Sequence, residues 1–102
     1  MMKKVVWSSK AQKNYRDNLL YLKEFWTKKE IKRFIFLVDK AVHAISQNPY
    51  IGSVYEENYR YRKYLVTEQI YLYYRLTQEN EILLASFWNN YQNPDQLKEF
   101  LL

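Results

Sequence analysis

From Ile31 to Ile45 the chain places apolar residues at Ile31, Phe34, Ile35, Val38, Ala41, Val42 and Ile45. Steps of three and four residues return to one side of an α-helix, so this segment predicts a helix with a continuous apolar face. A strand does not fit, because its side chains alternate between faces at every residue. The ends are marked. Thr27 and Glu30 stand at capping-box spacing, at which each side chain satisfies a free amide of the first turn. At the other end, Pro49 disfavours helical geometry in Asn48, so the helix stops by Asn48. Upstream, Ala11, Tyr15, Leu19, Leu22 and Trp26 share one side of another helix, for which Ser9 and Gln12 have capping-box spacing. With almost no linker between them, the two helices predict an antiparallel hairpin.

An apolar helical face has to be covered, and the remaining sequence offers strands to cover it. "KKVVWS" (3–8) is rich in β-branched and aromatic residues and reads as a first strand. After the loop "NPYIGSVYEEN" come "YRYRKYLV" (59–66), "QIYLYYRL" (69–76) and "EILLASFW" (81–88). The short breaks "TE" and "TQEN" between them suit hairpin connections. Asn93, Pro94 and Gln96 then mark a helix start with proline at its first position, followed by a short terminal helix, "PDQLKEFLL". The expected fold is therefore α+β in the order β-α-α-β-β-β-α. An antiparallel sheet packs against a two-helix hairpin, and a short C-terminal helix closes the chain. At 102 residues this reads as a single domain, 1–102.

Charge is unevenly placed. Residues 1–50 hold 11 Lys/Arg and 4 Asp/Glu, whereas 51–102 hold 5 and 7, giving balances of +7 and −2. The basic excess favours an acidic partner or serves as a solvating surface. Lys28, Lys29, Lys32 and Arg33 carry much of it on the second helix. Cysteine is absent, which excludes disulfides and thiol chemistry and fits a reducing, cytoplasmic setting. The longest aliphatic-aromatic run, "FIFLV", is far below membrane-spanning length, so no membrane partner is expected. The single histidine, His43, flanks the second helix with no second ligand near it, and no metal site or cofactor is expected. One glycine in the whole chain excludes glycine-rich phosphate loops.

Candidate binding residues lie in the strands. Were 59–66 a regular strand, Tyr59, Tyr61, Lys63 and Leu65 would share one side, and Arg60, Arg62, Tyr64 and Val66 the other. Two guanidinium groups on one face suit carboxylates. Together with Tyr71, Tyr73, Arg75 and Tyr91, Arg60, Arg62 and Lys63 read either as a patch that holds phosphate and stacks on bases, or as a solvated sheet face with tyrosines paired across strands.

The order of elements resembles the RelE/ParE superfamily, the toxins of bacterial type II toxin–antitoxin pairs. "ISQNPYIGS" resembles that family's "NPxxG" segment after the second helix, "YRKYLVTEQIYLYYRL" its second and third strands, and "FWNNYQNPDQL" its last strand and "NPxxL" ending. The resemblance spans nearly the whole chain. It implies a cytoplasmic toxin neutralised by a cognate, acidic antitoxin. Some such toxins inhibit DNA gyrase, others cleave messenger RNA on the ribosome, and a third possibility is a member that retains only partner binding. For nuclease members the resemblance implies a site of cations and a tyrosine or histidine, which here would draw on Arg60, Arg62, Lys63, Tyr71 and Tyr91. The family's third-strand and last-strand arginine positions match Tyr71 and Asn90, and residues 76–97 contain no Lys, Arg or His. That departure points to a ParE-like toxin that acts by binding, with Arg60, Arg62, Tyr64, Tyr71, Tyr73 and Arg75 as partner-binding residues.

Overall fold

The computed structural model describes residues 2–89. Strand β1 (Val5–Trp7) runs directly into helix α1 (Ser9–Phe25). The junction is Ser8. Its N–H donates to the Leu84 carbonyl at 3.0 Å, which ends the strand ladder. Its hydroxyl donates to the Ala85 carbonyl at 2.8 Å and accepts from the Ala11 N–H at 3.0 Å, which starts the helix. The cap therefore falls on Ser8, one residue before the expected Ser9, because only Ser8 sits where strand and helix share a residue. Ala11 is buried, with Tyr15, Leu19 and Leu22 packed against the core. Trp26, expected on that face, is instead largely exposed. It is the helix C-cap, with an extended backbone (φ −131°, ψ 174°) that turns its side chain off the helical screw.

Helix α2 (Lys28–Gln47) starts where the capping residues place it: the Thr27 N–H donates to the Glu30 carboxylate at 3.2 Å, and the Thr27 hydroxyl donates to the same carboxylate. Phe34, Val38, Ala41 and Ile45 are buried, Val42 packs beside them, and Ile35 lies at the exposed margin of the stripe. Asn48 caps the end, donating its N–H to Ala44 at 3.0 Å, and Pro49 follows.

The sheet also contains β2 (Ser53–Val54), β3 (Arg62–Leu65), β4 (Ile70–Leu76) and β5 (Ile82–Asn89), in the order β1-β5-β4-β3-β2. The pairings β2–β3, β3–β4 and β4–β5 are antiparallel. The pairing β1–β5 is parallel, so the expected antiparallel meander gains one parallel edge strand and the sheet is mixed. A chain that reverses at each short connection has its first and seventh elements pointing the same way, and these are β1 and β5. The terminal helix "PDQLKEFLL", with Asn90 and Tyr91, lies outside the described residues.

Ile70, Leu72 and Tyr74 of β4 join Ile82, Leu84 and Phe87 of β5 under the helices. Tyr71, Tyr73 and Trp88 pack together in a separate cluster, as alternation along the strands requires. Register slips between Tyr73 and Tyr74, which pair with Ser86 and Leu84, leaving Ala85 as the extra residue of a bulge. Asn14 of α1 repairs the break: its Oδ1 accepts from the Ser86 hydroxyl at 2.9 Å and the Phe87 N–H at 3.2 Å. The β4–β5 turn closes with Thr77 donating to Glu81 at 2.8 Å, and Asn80 takes a left-handed φ of 62° that asparagine tolerates well. Among the described residues, no helix is long and apolar enough to cross a membrane.

Candidate partner-binding cleft

The segment Pro49–Gly52 leaves α2 and is pinned from below by one phenol. The Tyr74 hydroxyl, buried under the sheet's margin, donates to the Pro49 carbonyl at 2.8 Å and accepts the Gly52 N–H at 2.9 Å. The chain approaches so closely that a Cβ on Gly52 would stand 2.6 Å from that hydroxyl and 2.7 Å from the Lys63 carbonyl. This is why the sole glycine sits here: the contact leaves no room for any side chain. Burial raises the Tyr74 pKa, opposed by the Gly52 hydrogen bond and the nearby Arg62 charge.

Arg62 clamps the same segment from the strand side. Its Nη1 donates to the Gly52 carbonyl at 2.7 Å and more weakly to Tyr50 at 3.4 Å, while its guanidinium lies 5.2 Å from the centre of the Tyr50 ring. Backbone carbonyls and a ring thus hold this cation in place without neutralising it. Arg62 lines a cleft of about 220 Å³ with Tyr50, Tyr59, Arg60 and Arg75. Arg60 and Arg75 also line a wider, adjoining cleft of about 820 Å³ with Asn58, Thr77 and the acidic Glu79, which is not ion-paired to either arginine. Among the described residues, no carboxylate lies within ion-pair distance of Arg60, Arg62 or Arg75.

The route by which Arg60 reaches the cleft differs from the expected one. Residues 59–61 do not continue β3. Asn58 gathers them into a turn, its Oδ1 accepting the Arg60 N–H at 3.2 Å and its carbonyl the Tyr61 N–H at 3.0 Å. Arg60 and Arg62 therefore do not share a strand face, yet a turn and a strand start bring them to one cleft. Tyr64 points to the helix side and packs half-buried against the core.

The remaining candidates are on the opposite face. Lys63 lies 4.9 Å from the centre of the Tyr71 ring. Tyr73 is buried between Tyr55, whose ring meets it edge-on at 5.3 Å, and Tyr71 at 6.3 Å. Burial first, then the neighbouring Tyr55, Tyr71 and Glu57, pushes the Tyr73 pKa up to about 12. Hence the expected single basic–aromatic patch divides into an arginine cleft at the sheet margin and a tyrosine face carrying one lysine. His43 is exposed on α2, and the described residues contain no group of three His, Asp or Glu that could hold a metal. Sequence reading missed Tyr50, Gly52 and Tyr74. The one available signal was the lone glycine three residues after a proline.

The sequence profile described as "ParE toxin of type II toxin-antitoxin system, parDE" matches residues 5–94. A search of curated protein sequences finds no significant match. Among solved structures, the YoeB/ParE toxin from Agrobacterium tumefaciens superposes with a TM-score of 0.62 at 14% identity, covering 86% of this chain and 99% of that one. The YoeB dimer from Staphylococcus aureus gives 0.59 at 15% identity, covering 91% and 100%. At these identities the likeness concerns the fold.

Proposed function

The chain belongs to the ParE toxin family of type II toxin–antitoxin systems, and from that premise we propose that it acts by binding and that its arginine cleft receives an acidic segment of the cognate antitoxin. One observation carries the reading. Arg60, Arg62 and Arg75 line adjoining clefts with no carboxylate partner among the described residues, and Arg62 is already fixed by the Gly52 carbonyl. Carboxylates entering there meet, at Arg62, a forked donor that needs little further ordering. The toxic act in this reading is capture of a protein target such as DNA gyrase, released only when the antitoxin is lost.

The second reading, cleavage of messenger RNA on the ribosome, draws on Lys63 beside Tyr71. Strand cleavage needs a base for the 2′-hydroxyl and cations for the phosphate charge. On the tyrosine face Tyr73 supplies neither at neutral pH, since it holds its proton up to about 12. Arg62 is on the other side of the sheet from Lys63, so the two do not converge on one phosphate. Toeprinting of translating ribosomes with purified protein in excess tests this. The binding reading expects no codon-specific cuts. Cuts that vanish on Lys63→Ala or Arg62→Ala would replace it with the nuclease. Induced expression, scored for RNA decay against DNA damage, identifies the target class, and unimpaired growth would leave partner binding as the sole activity.

A further inference from the structure

The sheet ends unevenly beside the arginine cleft. Strand β3 begins at Arg62, which pairs with Tyr74, whereas β4 runs on through Arg75 to Leu76. Asn58 draws residues 59–61 into a turn, so the ladder stops and a notch opens between that turn and the end of β4. Three guanidinium groups line it from separate stretches of chain: Arg60 from the turn, Arg62 from the first residue of β3, and Arg75 from the overhang of β4. Arg60 and Arg75 line both clefts and so mark their junction. Like charges gathered without ion pairs focus a positive field and draw in an anion. The two clefts differ in chemistry. The narrow one holds all three arginines. The wide one, at about 820 Å³, has the room of a small-molecule site, and the exposed Glu79 sets a carboxylate in its wall.

We propose that this notch binds a nucleoside phosphate, with the phosphate on Arg60, Arg62 and Arg75 and the nucleoside in the wide cleft. The donors favour phosphate over carboxylate. A carboxylate is planar and fits one guanidinium fork, whereas a terminal phosphate has three acceptor oxygens and takes donors from several stretches of chain at once. Glu79 selects the rest of the ligand. It repels a second anion in the wide cleft and accepts hydrogen bonds from ribose hydroxyls or a base amino group, as carboxylates do in dinucleotide sites. A nucleic-acid strand, charged along its length, meets that repulsion; a free nucleotide carries its charge at one end. The notch is also remote from the position matching the nuclease members' third-strand arginine: Tyr71 precedes Arg75 by four residues on β4, about 13 Å along the strand. The inference stands apart from the antitoxin reading, although a nucleotide and an acidic segment would compete for the same guanidinium groups.

Isothermal titration calorimetry on the chain alone, at low salt, tests this with ADP, GDP, inorganic phosphate, adenosine and a short polyglutamate peptide as separate probes. ADP or GDP should bind about tenfold more tightly than inorganic phosphate, the scale of one added hydrogen bond to a charged group, and adenosine should give no heat. Arg60→Ala/Arg75→Ala should weaken nucleotide and phosphate alike by about 100-fold, the loss of two charge-assisted contacts, with the melting temperature unchanged. Should that variant melt lower, Arg60→Ala alone, at an exposed turn, should still lose about tenfold. Glu79→Gln separates nucleoside recognition from charge: it should tighten inorganic phosphate and shrink the preference for the nucleotide. Equal tightening of both ligands, or ADP and GDP no tighter than phosphate, overturns the nucleoside assignment. No nucleotide binding at millimolar concentration overturns the site, and polyglutamate binding that depends on Arg60 in the same experiment then leaves the carboxylate reading of the cleft standing. Single-stranded RNA that displaces the nucleotides through the same arginines overturns the assignment in favour of a nucleic-acid strand.

Discussion

Removing one oxygen should loosen the whole Pro49–Gly52 segment. In Tyr74→Phe the ring still fills its place, 1% exposed, so apolar packing is retained. What disappears is the acceptor for the Gly52 N–H and the donor to the Pro49 carbonyl. Each buried backbone group left unsatisfied costs about 1–3 kcal/mol. Some relaxation toward solvent is open to Pro49, so a total near 3 kcal/mol is expected. For a domain of this size about 1 kcal/mol moves the melting temperature by ~4–8 °C, which gives a fall of roughly 12–24 °C. Thermal unfolding followed by circular dichroism reads it directly. Gly52→Ala supplies an internal check. Its methyl group meets both the Tyr74 hydroxyl at 2.6 Å and the Lys63 carbonyl at 2.7 Å. The phenylalanine relieves only the first clash, so the double variant should be less destabilised than the sum but still worse than Tyr74→Phe alone. A melting temperature within ~3 °C of wild type in Tyr74→Phe would refute the hub, since a shift so small is below the cost of one lost buried bond.

Phe34 is 4% exposed and stacks on Tyr15 at 5.7 Å, so Phe34→Ala should cost about 3–5 kcal/mol in urea unfolding. An unchanged midpoint would place the apolar stripe of α2 elsewhere than in the core. Tyr73 gives a pH dependence. Its folded pKa is raised from 10.0 to about 12, so the folded state keeps its proton more tightly than the unfolded chain does. The stabilisation is complete below pH 10 and is lost as pH rises toward 12, a decline on the order of 2–3 kcal/mol. Tyr73→Phe should flatten that alkaline decline in unfolding curves taken between the two pH values.

The two helices were legible because a helical repeat is a local signal and both have local stops. Strand identity was equally plain for β4 and β5, whose alternation survives in the structure up to the bulge at Ala85. Boundaries set by tertiary partners were not. Ser8 rather than Ser9 caps α1 because Leu84, 76 positions away, holds its amide. The start of β3 is decided by Asn58, which takes Arg60 into a turn although its neighbours alternate like a strand. The cleft was half legible for a similar reason. Its arginines could be picked out by charge. The loop that positions them joins residues 10 to 25 apart in sequence, and no local pattern announces such a contact.

Arg62 serves the protein and the cleft at once. Its partner across the strand pair is Tyr74, so it lies at the margin of the buried layer and is held by the Gly52 carbonyl and the Tyr50 ring. One nitrogen is committed to the protein, and Arg62 also lines the cleft. Only a planar group with several donors can serve both sides. Arg62→Lys keeps the charge but has to choose. If the ammonium bonds Gly52, the cleft loses a donor; if it turns to the cleft, Gly52 and Tyr50 lose their clamp. The expected result is a modest stability loss of about 1–2 kcal/mol, because a charge-assisted hydrogen bond is weakened and not removed. Antitoxin affinity should fall roughly tenfold despite conserved charge, as bidentate carboxylate contacts are lost. Arg60→Lys, at an exposed turn with no backbone carbonyl to hold, should lose much less. Equal affinity losses in the two lysine variants would mean that the cleft works by net charge alone, and that the geometry imposed by Tyr50 and Gly52 contributes nothing to recognition.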